Sequence, residues 1–210
     1  MWFMGKPTER WNDAIAHLRK DKVLRRVIDR VGPCNLRPRR NYFIKLVQSI
    51  LSQQVSVKAA AAMYLKLSKQ FPRRHVTPRR LHTFLTTADE ELIRSCGLSR
   101  QKRGYLTDLS RRFADGEIET KRFSRMTDEE VVAALTPIKG IGRWTVEMLL
   151  MFALNRPDVW PVDDLGLQEA YRIVYGLPVR PKPKELQPLG DRYRPYRTIA
   201  AWYLWRHKEG

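Results

Sequence analysis

The sequence predicts an all-α fold, and three observations carry that expectation. Apolar residues recur at helical spacing through most of the chain. Polar capping residues stand ahead of several of those runs. No stretch alternates apolar and polar residues in the way a half-buried strand does. Roughly eight to ten helices are expected, arranged as two helical lobes that share a cleft. One lobe is drawn at residues 41–154, the other at residues 1–40 plus 155–210.

In order along the chain, Phe43, Val47, Ile50 and Leu51 form one apolar helix face. The polar break Ser52-Gln53-Gln54 follows, and Ser56 suits the cap of a second helix. That helix is expected to turn Ala60, Ala61, Tyr64, Leu65 and Leu67 inward and to end at Phe71-Pro72. Thr87 to Glu90 and Thr127 to Glu130 both have capping-box spacing. Ser99 suits the cap of a helix with Tyr105, Leu106, Leu109 and Phe113 inward, closed by Gly116. Leu167 to Tyr175 reads as a helix and residues 178–188 as a proline-rich connector. Pro195 suits the first turn of a last helix, Tyr196 to His207.

The charge balance restricts the partners. Lys and Arg number 40 against 22 Asp and Glu, a formal net charge of +18. Such an excess repels itself unless a polyanion or solvent offsets it. The cations are spread over Arg37, Arg39, Arg40, Arg73, Arg74, Arg79, Arg80, Arg100, Lys102, Arg103, Arg111 and Arg112. That distribution suits a broad nucleic-acid face better than a basic tail. Cys34 and Cys96 are too few for a four-cysteine cluster, and a reducing compartment is expected. The apolar start Met1 to Lys6 is too short for a signal peptide, and Met148 to Leu154 is far below a membrane span. The expectation is an intracellular protein that does not enter a membrane, in bacterial cytoplasm or a eukaryotic nucleus.

The most informative stretch is Leu135 to Thr145. An apolar helical run stops at Pro137, turns through Gly140-Ile141-Gly142 and re-enters an apolar run, Val146 to Leu154. The glycines allow φ > 0 and leave the turn without side-chain bulk. Backbone N–H groups at such a turn and at the following helix start can face one anion, and a DNA phosphate fits. A carboxylate, Asp164, follows in Trp160-Pro161-Val162-Asp163-Asp164. It caps the helix that begins near Leu165, or does chemistry, or both.

These segments, with Ile50 to Ser56, Gly97 to Lys102, Arg194 to Arg197 and Trp202 to Trp205, together resemble the helix-hairpin-helix DNA glycosylases, in particular the 3-methyladenine DNA glycosylase II branch. The resemblance covers about residues 40–207. The first forty residues carry little of it and are too short for the β-rich domain that some relatives have. It implies the two-lobed glycosylase fold, with the active site in the cleft between the lobes. It further implies a monomer acting on double-stranded DNA with alkylated bases.

The resemblance assigns the residues their tasks. Asp164 matches the catalytic aspartate, which offsets the positive charge that grows on the sugar as the N-glycosidic bond breaks and helps orient water. Asp163 is expected to cap or orient. Lys139, Gly140, Gly142, Arg143 and Thr145 are expected on the DNA, with a monovalent Na+ or K+ held by the carbonyls of Thr136, Ile138 and Ile141. Lys139 departs from the family, which often has proline there. Strand-cutting relatives carry a lysine two residues after the second hairpin glycine as a Schiff-base nucleophile. Here that residue is Trp144, so a glycosylase that leaves an intact abasic site is expected. The cysteine count argues against the iron–sulfur branch.

Trp205 matches the aromatic residue that packs on the flipped base, with Trp144, Tyr196 and Trp202 as further pocket candidates. An indole face attracts a cationic purine by about 0.5–2 kcal/mol. Gln54 stands where the family carries the wedge that fills the stack left by the flipped nucleotide, or is an exposed turn residue. Gln53 and Ser56 position phosphates or cap. Arg197 contacts a phosphate or braces the aspartate's loop. Two alternatives remain open at this point: an oxidised-purine glycosylase on the same scaffold, and a non-catalytic hairpin module that binds DNA.

Overall fold

The computed structural model describes residues 9–39 and 41–209. The apolar start at residues 1–6 and Arg40 lie outside the described residues. Among the described residues there are twelve α-helices and no strand. They are α1 (Asn12–Leu18), α2 (Lys22–Val31), α3 (Tyr42–Ser52), α4 (Val57–Ser68), α5 (Pro78–Thr87), α6 (Glu90–Ser95), α7 (Arg100–Ala114), α8 (Asp128–Leu135), α9 (Arg143–Leu149), α10 (Leu165–Tyr175), α11 (Pro183–Leu189) and α12 (Arg197–Glu209). The all-α expectation holds, with more helices than the periodicity predicted.

Contacts divide the chain into residues 40–149 and residues 1–39 plus 150–210. In the first unit α3 buries Phe43, Leu46, Val47, Ile50 and Leu51 and packs on α4, α7 and α9. α5 lies along α7, with Leu81 and Leu85 on one side and Leu106 and Leu109 on the other, all at most 1% exposed. Ser56, Ser99 and Thr127 cap α4, α7 and α8, each Oγ accepting the N–H three residues on. Thr127 and Glu130 complete a capping box. The second expected box does not form. Thr87 is the last residue of α5, with its hydroxyl donating to the Thr83 carbonyl, and Asp89 precedes α6. α4 also departs from expectation: Leu67 is buried, but Ala61 and Leu65 are exposed.

In the second unit α12 is central and packs on α1, α2 and α10. Ile199 to Leu204 are all buried, so this helix is enclosed on every side, as a core helix is. α1 and α2 come from the first forty residues, where the motifs were silent. Asp21 starts α2 by accepting the N–H groups of Val23 and Leu24. α11 lies inside the stretch expected to be a connector. Its Pro183 occupies the first turn, where no N–H is needed, and Pro188 falls near its end. Pro195 precedes α12 rather than standing in its first turn.

The run after α9 closes as a π-helical turn, Leu150–Leu154. A boundary at 154 was expected, but this turn packs with the second unit. Phe152 lies 5.8 Å from Trp205 of α12, and the Arg39 N–H donates to the Ala153 carbonyl.

Candidate active site

The hairpin is built from the end of α8. Thr136 donates its N–H to Val132, and buried Ile138 and Ile141 anchor the turn in the core of the first unit. Gly140 has φ +80°, the left-handed region that favours glycine. A Cβ there would lie 2.3 Å from the Tyr105 ring. Only glycine therefore satisfies both the backbone and the packing. Gly142 differs: its φ is not left-handed, and a Cβ on it would meet nothing within 4 Å. Its carbonyl accepts the Val146 N–H, so it starts α9 and leaves open space in front of it.

Two side chains that the sequence did not single out for the hairpin hold its backbone. The Lys139 N–H donates to Asp108 Oδ2 at 2.9 Å. The Gly140 carbonyl accepts from Gln53 Nε2 at 2.8 Å, so Gln53, expected at a phosphate or a cap, ties two turns together. Asp108 is itself gripped by the Arg112 guanidinium at 3.1 Å. Burial pushes the Asp108 carboxyl up, but the Lys139 N–H, Arg112 and Arg111 together bring it below its ordinary value. With its N–H given to Asp108, Lys139 offers its exposed side chain rather than its amide. Arg143 is held between Glu129 and Glu147, with Nη1 donating to Glu129 at 3.0 Å. Thr145 is buried, and Trp144 is 42% exposed. Gln54 sits at the exposed tip of the α3–α4 turn with φ +58°. Left-handed backbone is uncommon for a non-glycine residue and persists where its surroundings over-determine it.

Asp164 is set differently. Residues 155–164 lead into α10 and are fastened to α12. The Val159 N–H donates to Thr198 Oγ1 at 3.0 Å, and Arg197 clamps Asp158 through Nε at 2.8 Å and Nη2 at 3.0 Å. Of the two tasks open to Arg197, its contacts are those of a brace. Asp164 then caps α10, its Oδ1 accepting the Leu167 N–H at 2.5 Å. The same oxygen accepts Trp205 Nε1–H at 3.0 Å. The carboxylate is half-buried, Asp163 is exposed, and Leu165 beside it is 61% exposed. Gly166 makes room for this contact, since a Cβ there would stand 2.9 Å from Asp164 Oδ1 and 3.5 Å from Trp205 Nε1.

Of the expected pocket aromatics, the structure brings Trp205 to Asp164 and adds Phe152, tilted 33° to the Trp205 ring. Phe152 carried no signal beyond its place in an apolar run. Trp202 is 2% exposed and packs edge-on against Tyr203, while Tyr196 meets His17 at 5.5 Å. Burial makes Trp202 a core residue rather than a pocket wall.

The hairpin, the capped aspartate and the order of the segments are those of one family. The chain belongs to the HhH-GPD superfamily of base excision DNA repair proteins, whose pattern matches residues 47–194. It is 38% identical to DNA-3-methyladenine glycosylase 1 of Schizosaccharomyces pombe over 197 residues, covering 89% of this chain and 82% of that protein. A solved S. pombe 3-methyladenine DNA glycosylase in complex with abasic DNA superposes with a TM-score of 0.82 at 36% identity, covering 94% of this chain and 97% of that one. A DNA-3-methyladenine glycosidase from Bacillus halodurans superposes with a TM-score of 0.80 at 32% identity, covering 98% and 92%. No helix among the described residues is long and apolar enough to cross a membrane.

Proposed function

We propose that this chain is a DNA glycosylase of base excision repair that hydrolyses the N-glycosidic bond of 3-methyladenine-type alkylated purines in duplex DNA. The observation that carries this reading is the Asp164 carboxylate, half-buried, with one oxygen pinned by the Leu167 N–H and the Trp205 indole N–H. A carboxylate held in one orientation needs no reorganisation as positive charge develops on the sugar. An alkylated purine is cationic and already a good leaving group, so a strong general acid is not required. The partly exposed Trp205 ring, backed by buried Phe152, offers a π face to such a cation.

The phosphate grip falls to the hairpin. Gly142, with open space before it, and the N–H groups that begin α9 support contact with one phosphate, aided by the exposed Lys139 side chain. Gln54, exposed at its turn, is the wedge that offsets part of the cost of extruding the nucleotide. The carbonyls of Thr136, Ile138 and Ile141 would hold a Na+ or K+. Neutral carbonyl oxygens suit such a hard cation, although Ile138 already accepts the Ile141 N–H at 3.0 Å. With Trp144 in the lysine position, the enzyme leaves an intact abasic site, and it acts as a monomer.

The test is direct. Methylated duplex DNA is incubated with the protein, released bases are identified by chromatography, and an alkali step scores nicking. Release of alkylated purines with strand breaks only after alkali is expected. No release, with DNA bound, would leave a non-catalytic binding module in its place.

A further inference from the structure

The segment Gly97 to Lys102 has no task in the reaction as described, yet its geometry is specific. Gly97 turns the chain with φ +81°, and a Cβ on it would press Met63 of α4 at 3.1 Å. Ser99 then starts α7 by accepting the Lys102 N–H at 3.2 Å. This fixes the first turn of α7 and with it the direction of the Lys102 side chain. Lys102 is 9% exposed, and its Nζ donates to the Leu51 carbonyl at 2.6 Å. Burial moves its pKa below the ordinary lysine value, so the side chain sits there at a desolvation cost.

The carbonyl it holds belongs to the last turn of α3, where carbonyls lack intrahelical partners and a cation is favoured. The residues immediately after it are Ser52, Gln53 and Gln54. Further along α7, Tyr105 packs on Gly140 and Asp108 accepts the Lys139 N–H. Lys102, Tyr105 and Asp108 recur every three residues, within roughly 120° of the helix circumference. One helix thus grips both the turn that carries Gln54 and the hairpin, and Gln53 joins the two turns directly.

We propose that Lys102 is a positioning residue for nucleotide extrusion: by holding the end of α3 it fixes the turn that presents Gln54. The proposal rests on the reading in which Gln54 fills the vacated stack. Its range is short, since Nζ reaches one carbonyl three residues ahead of Gln54. It acts on extrusion and not on the affinity for undamaged duplex.

The experiment is a double-mutant cycle with K102M, K102R and Q54A. It is read by 2-aminopurine fluorescence next to a 7-methylguanine in duplex DNA, by single-turnover base release, and by affinity for undamaged duplex. K102M is expected to lower the extrusion signal and the release rate about tenfold, with duplex affinity within about threefold, and K102R to restore both. In the Q54A background K102M is expected to cost little more than Q54A alone. Wild-type extrusion in K102M, or losses that add in the double variant, would overturn the proposal while leaving the wedge in place. Wild-type extrusion in Q54A would instead sink the wedge reading and this proposal with it. Should K102M fail to melt cooperatively, K102Q, whose shorter side chain cannot span the same distance, takes its place in the cycle with the same outcomes.

Discussion

The hairpin and the Asp164 loop are fixed by opposite means. In the hairpin, side chains from distant helices hold a backbone: Asp108 takes an N–H, Gln53 supplies a donor to a carbonyl, and the Tyr105 ring lies against Gly140. In the Asp164 loop a backbone N–H and an indole hold a side chain. The first fixes the path of a backbone, where an added side chain is mostly an obstruction. The second presents one carboxylate, in which a single atom decides the outcome. The two regions should therefore fail differently when altered.

The largest effect is expected at the carboxylate. D164N keeps the shape and the cap but removes the charge, and should lower single-turnover base release by about 10²–10³-fold with DNA affinity retained. Release within tenfold of wild type would break the contrast, because the loop would then matter only as a cap. Next come the glycines. G140A forces a Cβ onto left-handed backbone and into the Tyr105 ring, and should cost about 2–4 kcal/mol in denaturant unfolding. G142A meets open space, so stability should fall by no more than about 1 kcal/mol while duplex affinity drops. Equal loss of stability in the two variants would show that the glycines do the same work.

How much of this was legible follows the same division. The hairpin, the caps at Ser56, Ser99 and Thr127, and Asp164 and Trp205 as separate site candidates were written in local spacing or in the order of motifs, but the hydrogen bond between those two residues, 41 positions apart, was not. Nor were the clamps. Asp108 and Lys139 lie 31 residues apart, and Gln53 and Gly140 lie 87 apart, so nothing local couples them. Arg112, read as part of a basic DNA face, spends its guanidinium on Asp108 and Glu117. Trp202 and Trp205 are one helix turn apart with the same chemistry, and only packing makes one core and the other a partner of Asp164. The helix in the proline-rich stretch was hidden because its prolines fall where a short helix tolerates them.

A smaller effect sharpens the carboxylate side of the contrast. W205F keeps a ring against Phe152 but removes the N–H that Asp164 accepts. A hydrogen bond to a charged group is worth about 1.5–3 kcal/mol, so release should fall about tenfold or more. W205A, which removes the ring as well, should fall further. If W205F matches wild type and only W205A loses activity, stacking is the whole role of Trp205 and the carboxylate is oriented without the indole N–H.

The smallest effect lies on the hairpin side and depends on pH. The folded state holds the Asp108 carboxyl below its ordinary value, against a burial cost, through the Lys139 N–H and the Arg112 and Arg111 guanidinium groups. A depressed folded value means that the native state resists protonation more than the unfolded chain does. The stability it contributes is fully present above the ordinary aspartate pKa of about 3.9 and is lost as pH falls through the lowered folded value. D108N cannot titrate. The difference in unfolding free energy between wild type and D108N should therefore be constant above about pH 5 and shrink steadily below about pH 4. A difference that stays flat down to pH 2 would mean that Asp108 holds the Lys139 amide no better charged than neutral. The hairpin would then owe its shape to Gly140, Tyr105 and Gln53.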